Sequence, residues 1–502
     1  MNGSSTRAAL AISLLFFVKT ACLALFVTPL WDVPDEIAHF SYAADIAAGR
    51  GFPVAGRTTI PPALVARWEP GANAGPVFNW TAMHPPGYHL AAAAALAGAR
   101  RLTADFDLQV RLTRLTSCLF GAATLFLLYR VLMLAGAGGM VALAGAAGVG
   151  FIPMFSHMAS GVSHDTLVAA LGALAAIAWI RFLAERSYRA ALLVGLVLAL
   201  AGTVKATIAP VALVLAALLP ARLPGSAARR ALGAFGLAML ALSTSVFWVV
   251  RLGRLPTPTA TGRRGHGPAE FFEVFRSQPI ADHTLKNFFG LIGWTGHGFL
   301  EWFQISGIFL AVHLALVLVL TLLTLAWAAR IDFDRGAGLR FDTAARWGAA
   351  AAAFLLSFGW LVSRPATSPL KIFVECLLLA APFAFWTSIG VSSDGPEDAV
   401  FTAQVVFLGF TLVYFGNVSR SYLLTGQMRG AHGRYYFAVL GFLLLGFVLP
   451  AADLLRKWRG RDLAIAGALV ILFADETAFY LLRVIPFYRR LPSTAVVGPF
   501  SP

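Results

Sequence analysis

"WDVPDEIAHFSYAADIAAGRG", residues 31–51, gathers Asp32, Asp35, Glu36 and His39 within nine residues, directly after the apolar run 9–30. A helix needs roughly 20 apolar residues to cross a bilayer, so this stretch marks where the chain leaves a membrane. Composition agrees: of 502 residues, 58% are hydrophobic and 13% charged, and the mean hydropathy is +0.75. That balance excludes a soluble domain with a polar surface. No small-residue cleavage site precedes "WDVPDE", so the first run is expected to stay in the protein.

Further apolar runs occupy 112–134, 138–156, 163–183, 189–203, 206–221, 230–250, 299–328, 345–363, 370–390, 400–416, 435–454 and 463–482. Together they predict an all-α polytopic membrane protein of about 13 transmembrane helices, a single membrane domain over residues 1–502. "HPPGYHLAAAAALAGARR" (84–101) is too short for a span, and its prolines suit a helix start, so it is expected as a juxtamembrane helix.

Formal charge is +15, from 39 Lys+Arg against 24 Asp+Glu. Its distribution fits the positive-inside rule better than nucleic-acid binding. Arg181, Arg186 and Arg189 share one short loop, Arg222, Arg229 and Arg230 another. Arg330, Arg335, Arg340 and Arg346 form a third cluster, and Arg456, Lys457, Arg459 and Arg461 a fourth. Thirteen spans with a cytoplasmic N-terminus put all four inside. Residues 31–111 and 251–298 then become the large outer loops, the first carrying the active site with its juxtamembrane helices. Cys22, Cys118 and Cys376 fall inside apolar runs, far apart, and are expected to pack rather than bind metal.

Asp35 and Glu36 follow Pro34, where they would charge the first turn of a helix and favour it through the macrodipole. The competing reading is a site: Asp35 and His39, four apart, share a helix face, with Trp31, Phe40 and Tyr42 nearby at the membrane boundary.

"PDEIAHF" (34–40) resembles the acidic first-loop motif of the GT-C glycosyltransferases, the superfamily of protein O-mannosyltransferases and lipid A aminoarabinose transferases. The chain is similar in particular to a bacterial membrane family in which "HPPGY" (84–88), "FFGLIGW" (288–294) and "GRYY" (433–436) would follow in order. It departs at Gly87, where relatives carry a bulkier residue, and at Ala431 and His432, where relatives carry Gln. The resemblance implies a GT-C fold and a donor sugar linked to polyprenyl phosphate. It also implies an acceptor that is a cell-envelope glycan, lipid or protein, and an inverting transfer on the outer face of a bacterial inner membrane. Asp35 would be the general base, with Glu36 and His39 as its neighbours.

Other residues join on chemical grounds. Asp165 and His164, in "SGVSHDTL" (160–167), would either cap a helix after Ser163 or line the cavity opposite Asp35. His84 opens the juxtamembrane helix. Lys205, between two short apolar runs, needs an anionic partner or water; with Arg434 and Arg364 it is a candidate for the leaving phosphate. Trp294 and Tyr435 offer aromatic surface to a sugar. No compact metal-ligand spacing occurs, so no metal or other cofactor is expected; Asp35 with Asp165 is the sole pair considered for a cation, and it is not favoured. Two competing functions are a transporter or flippase of lipid-linked sugars and a polysaccharide polymerase or ligase.

Overall fold

Among the described residues, helix follows hydropathy. The computed structural model describes residues 3–68, 75–252, 267–278, 280–292, 303–304, 307–330, 343–361, 369–390, 396–425 and 432–490. The first span is α1 (Gly3–Cys22), extended by a π turn at Leu23–Val27. The segment that follows holds α2 (Glu36–Ala47), α3 (Pro62–Trp68) and α4 (Gly87–Leu102). Next come α5 (Phe106–Leu134), α6 (Gly139–Gly150), α7 (Pro153–Ala159), α8 (Asp165–Glu185), α9 (Tyr188–Gly202), α10 (Ala209–Leu218) and α11 (Ala227–Leu252). The later part comprises α12 (Pro268–Ser277), α13 (Ile280–Phe289), α14 (Ile308–Arg330), α15 (Thr343–Leu361), α16 (Pro369–Ala380) and α17 (Pro396–Thr425). A 3₁₀ segment, Gly433–Val439, then leads into α18 (Leu440–Leu443) and α19 (Leu449–Leu454), and α20 (Arg461–Phe479) and α21 (Ile485–Arg490) end the described chain.

Among the described residues, seven helices are long and apolar enough to cross a membrane, or eight if the bent pair α6–α7 counts as one span. The expected 13 is not reached by that measure. The physical reason is clearest for α9 and α10, helices of 15 and 10 residues. At 1.5 Å per residue, even α9 spans only about 22 Å, short of a hydrocarbon core of about 30 Å. Hydropathy marks these runs as buried in an apolar medium; it does not fix how far each one reaches.

The α6–α7 bend of 68° falls at Phe151–Ile152, with Pro153 starting α7. Breaking a helix frees carbonyls that lipid cannot satisfy. Here the Lys19 ammonium reaches the Gly150 carbonyl at 2.6 Å and is itself held by the Glu476 carboxylate at 2.9 Å. On the other side of the bundle, Arg222 at the end of α10 forks onto Asp398 of α17, both buried. The second Arg-rich group is therefore tied into the protein through its first member.

The expected helix after the paired prolines is α4. Its buried residues Tyr88, His89, Ala92, Ala93, Leu96 and Ala99 recur at helical spacing, and the small alanines let it lie against α2 and α5. Gly87 explains its own departure from the resembled pattern. A Cβ there would stand 2.8 Å from the Thr203 carbonyl, which instead accepts the Gly87 N–H at 2.8 Å. This contact docks the start of α4 onto the turn that presents Lys205.

Candidate functional site

The sequence approaches the site from Trp31 and Asp35, both in the left-handed region at φ 69° and 65°. Such backbone costs on the order of 1–3 kcal/mol in a non-glycine residue and persists where surrounding structure enforces it. Asp35 occupies the N-cap position of α2, yet its side chain caps nothing. Its Oδ1 accepts from the Trp80 indole at 2.8 Å and its Oδ2 accepts from Arg434 Nη2 at 2.7 Å. The reading of Asp35 as a helix-terminus charge is thus set aside by its geometry.

Trp80 is positioned by its own turn. Asn79 accepts from the Thr81 N–H at 3.0 Å, and its amide donates to the Ala38 carbonyl of α2 at 3.0 Å. The indole is therefore fixed relative to the helix whose cap residue it holds.

Asp165 begins α8 behind Ser163, whose hydroxyl accepts the Asp165 N–H at 3.3 Å. The Asp165 carboxylate also carries two ion pairs. Lys205 pairs with its Oδ1, and Arg434 Nε lies 3.3 Å from its Oδ2. Asp35, Arg434, Asp165 and Lys205 therefore form one chain of alternating charge. The Tyr435 ring supports it, with the Lys205 ammonium 4.2 Å from the ring centroid. Burial pushes the Lys205 pKa down, and Asp165 opposes that shift.

Arg434 reaches this position because Gly433 permits close approach of the 3₁₀ segment to α13. A Cβ at Gly433 would lie 2.0 Å from the Thr284 carbonyl and 2.5 Å from the Phe288 nitrogen. The Arg434 N–H donates to Asn287 Oδ1 at 3.1 Å. The start of "FFGLIGW", at Phe288, is thus adjacent in space to "GRYY". Arg434 is 3% exposed, and its Nη1 has no hydrogen-bond partner among the described residues. A buried guanidinium nitrogen left in this state is costly unless it serves a ligand.

Around the charged chain stand four histidines. His39 Nδ1 and His89 Nε2 are 2.9 Å apart, while the His164 ring packs edge-on against His39 at 4.4 Å and against His84 at 4.5 Å between centroids. Burial pushes all four towards the neutral form; neighbouring histidines, Lys205 and Arg434 add to it for His39, and Lys205 and the neighbouring histidines add to it for His164. His84 falls to about 4 and His89 to about 3.

One expected member does not belong. Glu36 turns away from Asp35, fully buried, and its oxygens accept from Arg114 Nε at 2.7 Å and Nη2 at 2.8 Å. They also accept from the backbone N–H groups of Trp31 at 2.9 Å and Val162 at 3.0 Å. With its lone pairs committed, Glu36 staples the start of α2 to α5, and the expectation of a catalytic neighbour is corrected to a structural one. Trp294 and Arg364 lie outside the described residues. His89 and Trp80 were not anticipated. His89 was hidden inside a sequence read as a helix face, and Trp80 stood in a stretch with no motif.

An apolar cavity of about 440 Å³ is lined in part by Thr284, Phe288, Leu320, Phe407, Tyr436 and Leu444, and by none of Asp35, Asp165, Lys205 and Arg434. Tyr436 places one end of it two residues from Arg434.

No protein-family model matches the chain, and no curated protein does. Among solved structures, it is similar to ArnT from Cupriavidus metallidurans bound to undecaprenyl phosphate, with 16% identity and a TM-score of 0.35 over 98% of this chain and 82% of that one. It is likewise similar to the apo form of that protein, with 17% identity and a TM-score of 0.31 over 97% of this chain and 80% of that one. A likeness this distant carries no argument about chemistry.

Proposed function

We propose that this protein is a GT-C type glycosyltransferase that moves a sugar from a polyprenyl-phosphate-linked donor to an acceptor hydroxyl at the outer face of a bacterial inner membrane. The observation that carries the reading is the buried Asp35–Arg434–Asp165–Lys205 array, with an unpartnered guanidinium nitrogen on Arg434, two residues along the chain from Tyr436 in the lining of an apolar cavity. A lipid phosphate combines the two chemistries such a place suits: an anion for Arg434 and Lys205, and a hydrocarbon tail for the cavity.

In the resting array the Asp35 oxygens accept hydrogen bonds from Trp80 and Arg434. Donor phosphate drawing Arg434 to itself frees Oδ2. Asp35 then accepts the proton of the acceptor hydroxyl as that oxygen bonds to the anomeric carbon. The bond from this carbon to the phosphate oxygen breaks on the opposite face, giving inversion. The electron pair leaves with the lipid phosphate, where Arg434 and Lys205 stabilise it. Asp165 orients both cations, and His84, His164 and Tyr435 border the sugar.

Thirteen spans with a cytoplasmic N-terminus remain part of this proposal, as do the outer loops 31–111 and 251–298 of a single membrane domain. The acceptor is a glycan, lipid or protein of the cell envelope. Transfer assayed with a polyprenyl-phosphate sugar should proceed, whereas turnover with a free sugar nucleotide and no lipid would overturn the donor class. Movement of the lipid-linked sugar across vesicles without bond cleavage would favour a flippase instead. Arg57→Cys, on an exposed turn, should react with an impermeant thiol reagent in intact cells; labelling only after lysis would reverse the topology.

A further inference from the structure

We propose that His39, His89 and His164 bind one divalent transition-metal ion, zinc being the best match to their chemistry. One ring nitrogen of each lies within 4.8 Å of those of the other two, and all three side chains are buried. They come from α2, α4 and the turn entering α8, so the grouping is a product of the fold and not of local spacing.

The outer nitrogens favour ligation over simple packing. Metal-bound histidines characteristically direct their second ring nitrogen at a carbonyl or carboxylate. His89 Nδ1 lies 3.3 Å from the Pro85 carbonyl, and its Nε2 faces the group. His164 Nε2 lies 3.4 Å from the Asp165 carboxylate, which leaves its buried Nδ1 without a hydrogen-bond partner among the described residues. The hydrogen bond between His39 and His89 pairs one donor with one acceptor and leaves that third nitrogen over. A metal ion accepts all three lone pairs at once, after a closure of the rings small enough for side-chain rotation.

Three imidazoles suit zinc, cobalt, nickel or copper and poorly suit magnesium, calcium or manganese, which take oxygen ligands. The formal charges of Arg434 and Lys205 are paired with those of Asp35 and Asp165, although the two cations still act on the histidines. Bound at this point it would clip α2 and α4 to α8. Through His164 it would also fix Asp165, making the three histidines positioning residues. This departs from the expectation of no metal, and it does not rest on the transferase reading.

The test uses the full chain purified in detergent without chelator. Elemental analysis should find about one zinc per chain. After stripping with a chelator, added cobalt(II) should give the intense visible absorption of a low-coordinate imidazole site, and added zinc should displace it and raise the unfolding temperature. His89→Gln and His164→Gln should each weaken zinc binding by no less than the roughly 10–100-fold typical of outer-shell changes. A stripped wild-type protein that takes up neither ion would overturn the proposal without any variant, and so would variants that bind zinc as tightly as wild type. Since no sugar donor enters the measurement, its failure leaves the transferase reading intact, and inactivity of an Asp35 variant leaves the metal site intact.

Discussion

Asp35 and Glu36 are neighbours in sequence with opposite fates. Glu36 is saturated: Arg114 forks onto it, two backbone N–H groups complete its shell, and Arg114 spends its remaining donors on the carbonyls of Ala24, Thr28 and Pro29. Asp35 is paired too, but its side chain is 23% exposed and its arginine retains an unpartnered nitrogen. A buried ion pair whose every donor and acceptor is used holds a fold together. One that leaves a donor over is poised for something else to arrive.

The contrast is tested most severely at its closed end. Arg114→Ala strands a buried carboxylate and should destabilise the protein by about 3–5 kcal/mol, read as a large fall in yield of folded protein and in its thermal midpoint. A variant as stable as wild type would erase the distinction. At the open end, Asp35→Asn preserves size and should fold normally while transfer falls by about a hundredfold or more. Near-normal turnover would leave Asp35 with no chemical task. Lys205→Ala and Arg434→Ala should each weaken polyprenyl-phosphate binding by about tenfold to a hundredfold, and the double variant should lose less than the sum because one anion is shared. Strict additivity would mean that the two cations serve separate sites. The smallest effect belongs to Trp80→Phe, which removes one hydrogen bond from Asp35 at a net cost of about 1 kcal/mol. It should slow transfer several-fold with little change in stability; a drop in thermal midpoint as large as that of Arg114→Ala would move Trp80 to the structural side.

Much of this division could be read from residue types. Acids after a span, a lysine between two apolar runs and a late arginine are conspicuous in a chain with 13% charged residues, because each must find a partner, and they found one another. Sequence could not say which of two adjacent acids would turn inward. That depends on Arg114, seventy-eight positions away and indistinguishable from any arginine near a helix end. The histidine group was hidden for the same reason, since metal-ligand spacing is informative only when ligands share one local element. The span count is not matched by helix length where helices are short, as α9 and α10 are, because apolarity reports the surroundings of a residue and not the length of a path.

Among the described residues, Arg434 joins the two carboxylates, bridging 399 positions of chain to Asp35. During synthesis, Asp35, Asp165 and Lys205 emerge within the first 205 residues, leaving two acids and one ammonium on the partial protein until the segment carrying Arg434 is made. The site is therefore completed by a late insertion event, and a chain cut short before Arg434 retains most of its helices while holding an excess negative charge at its centre.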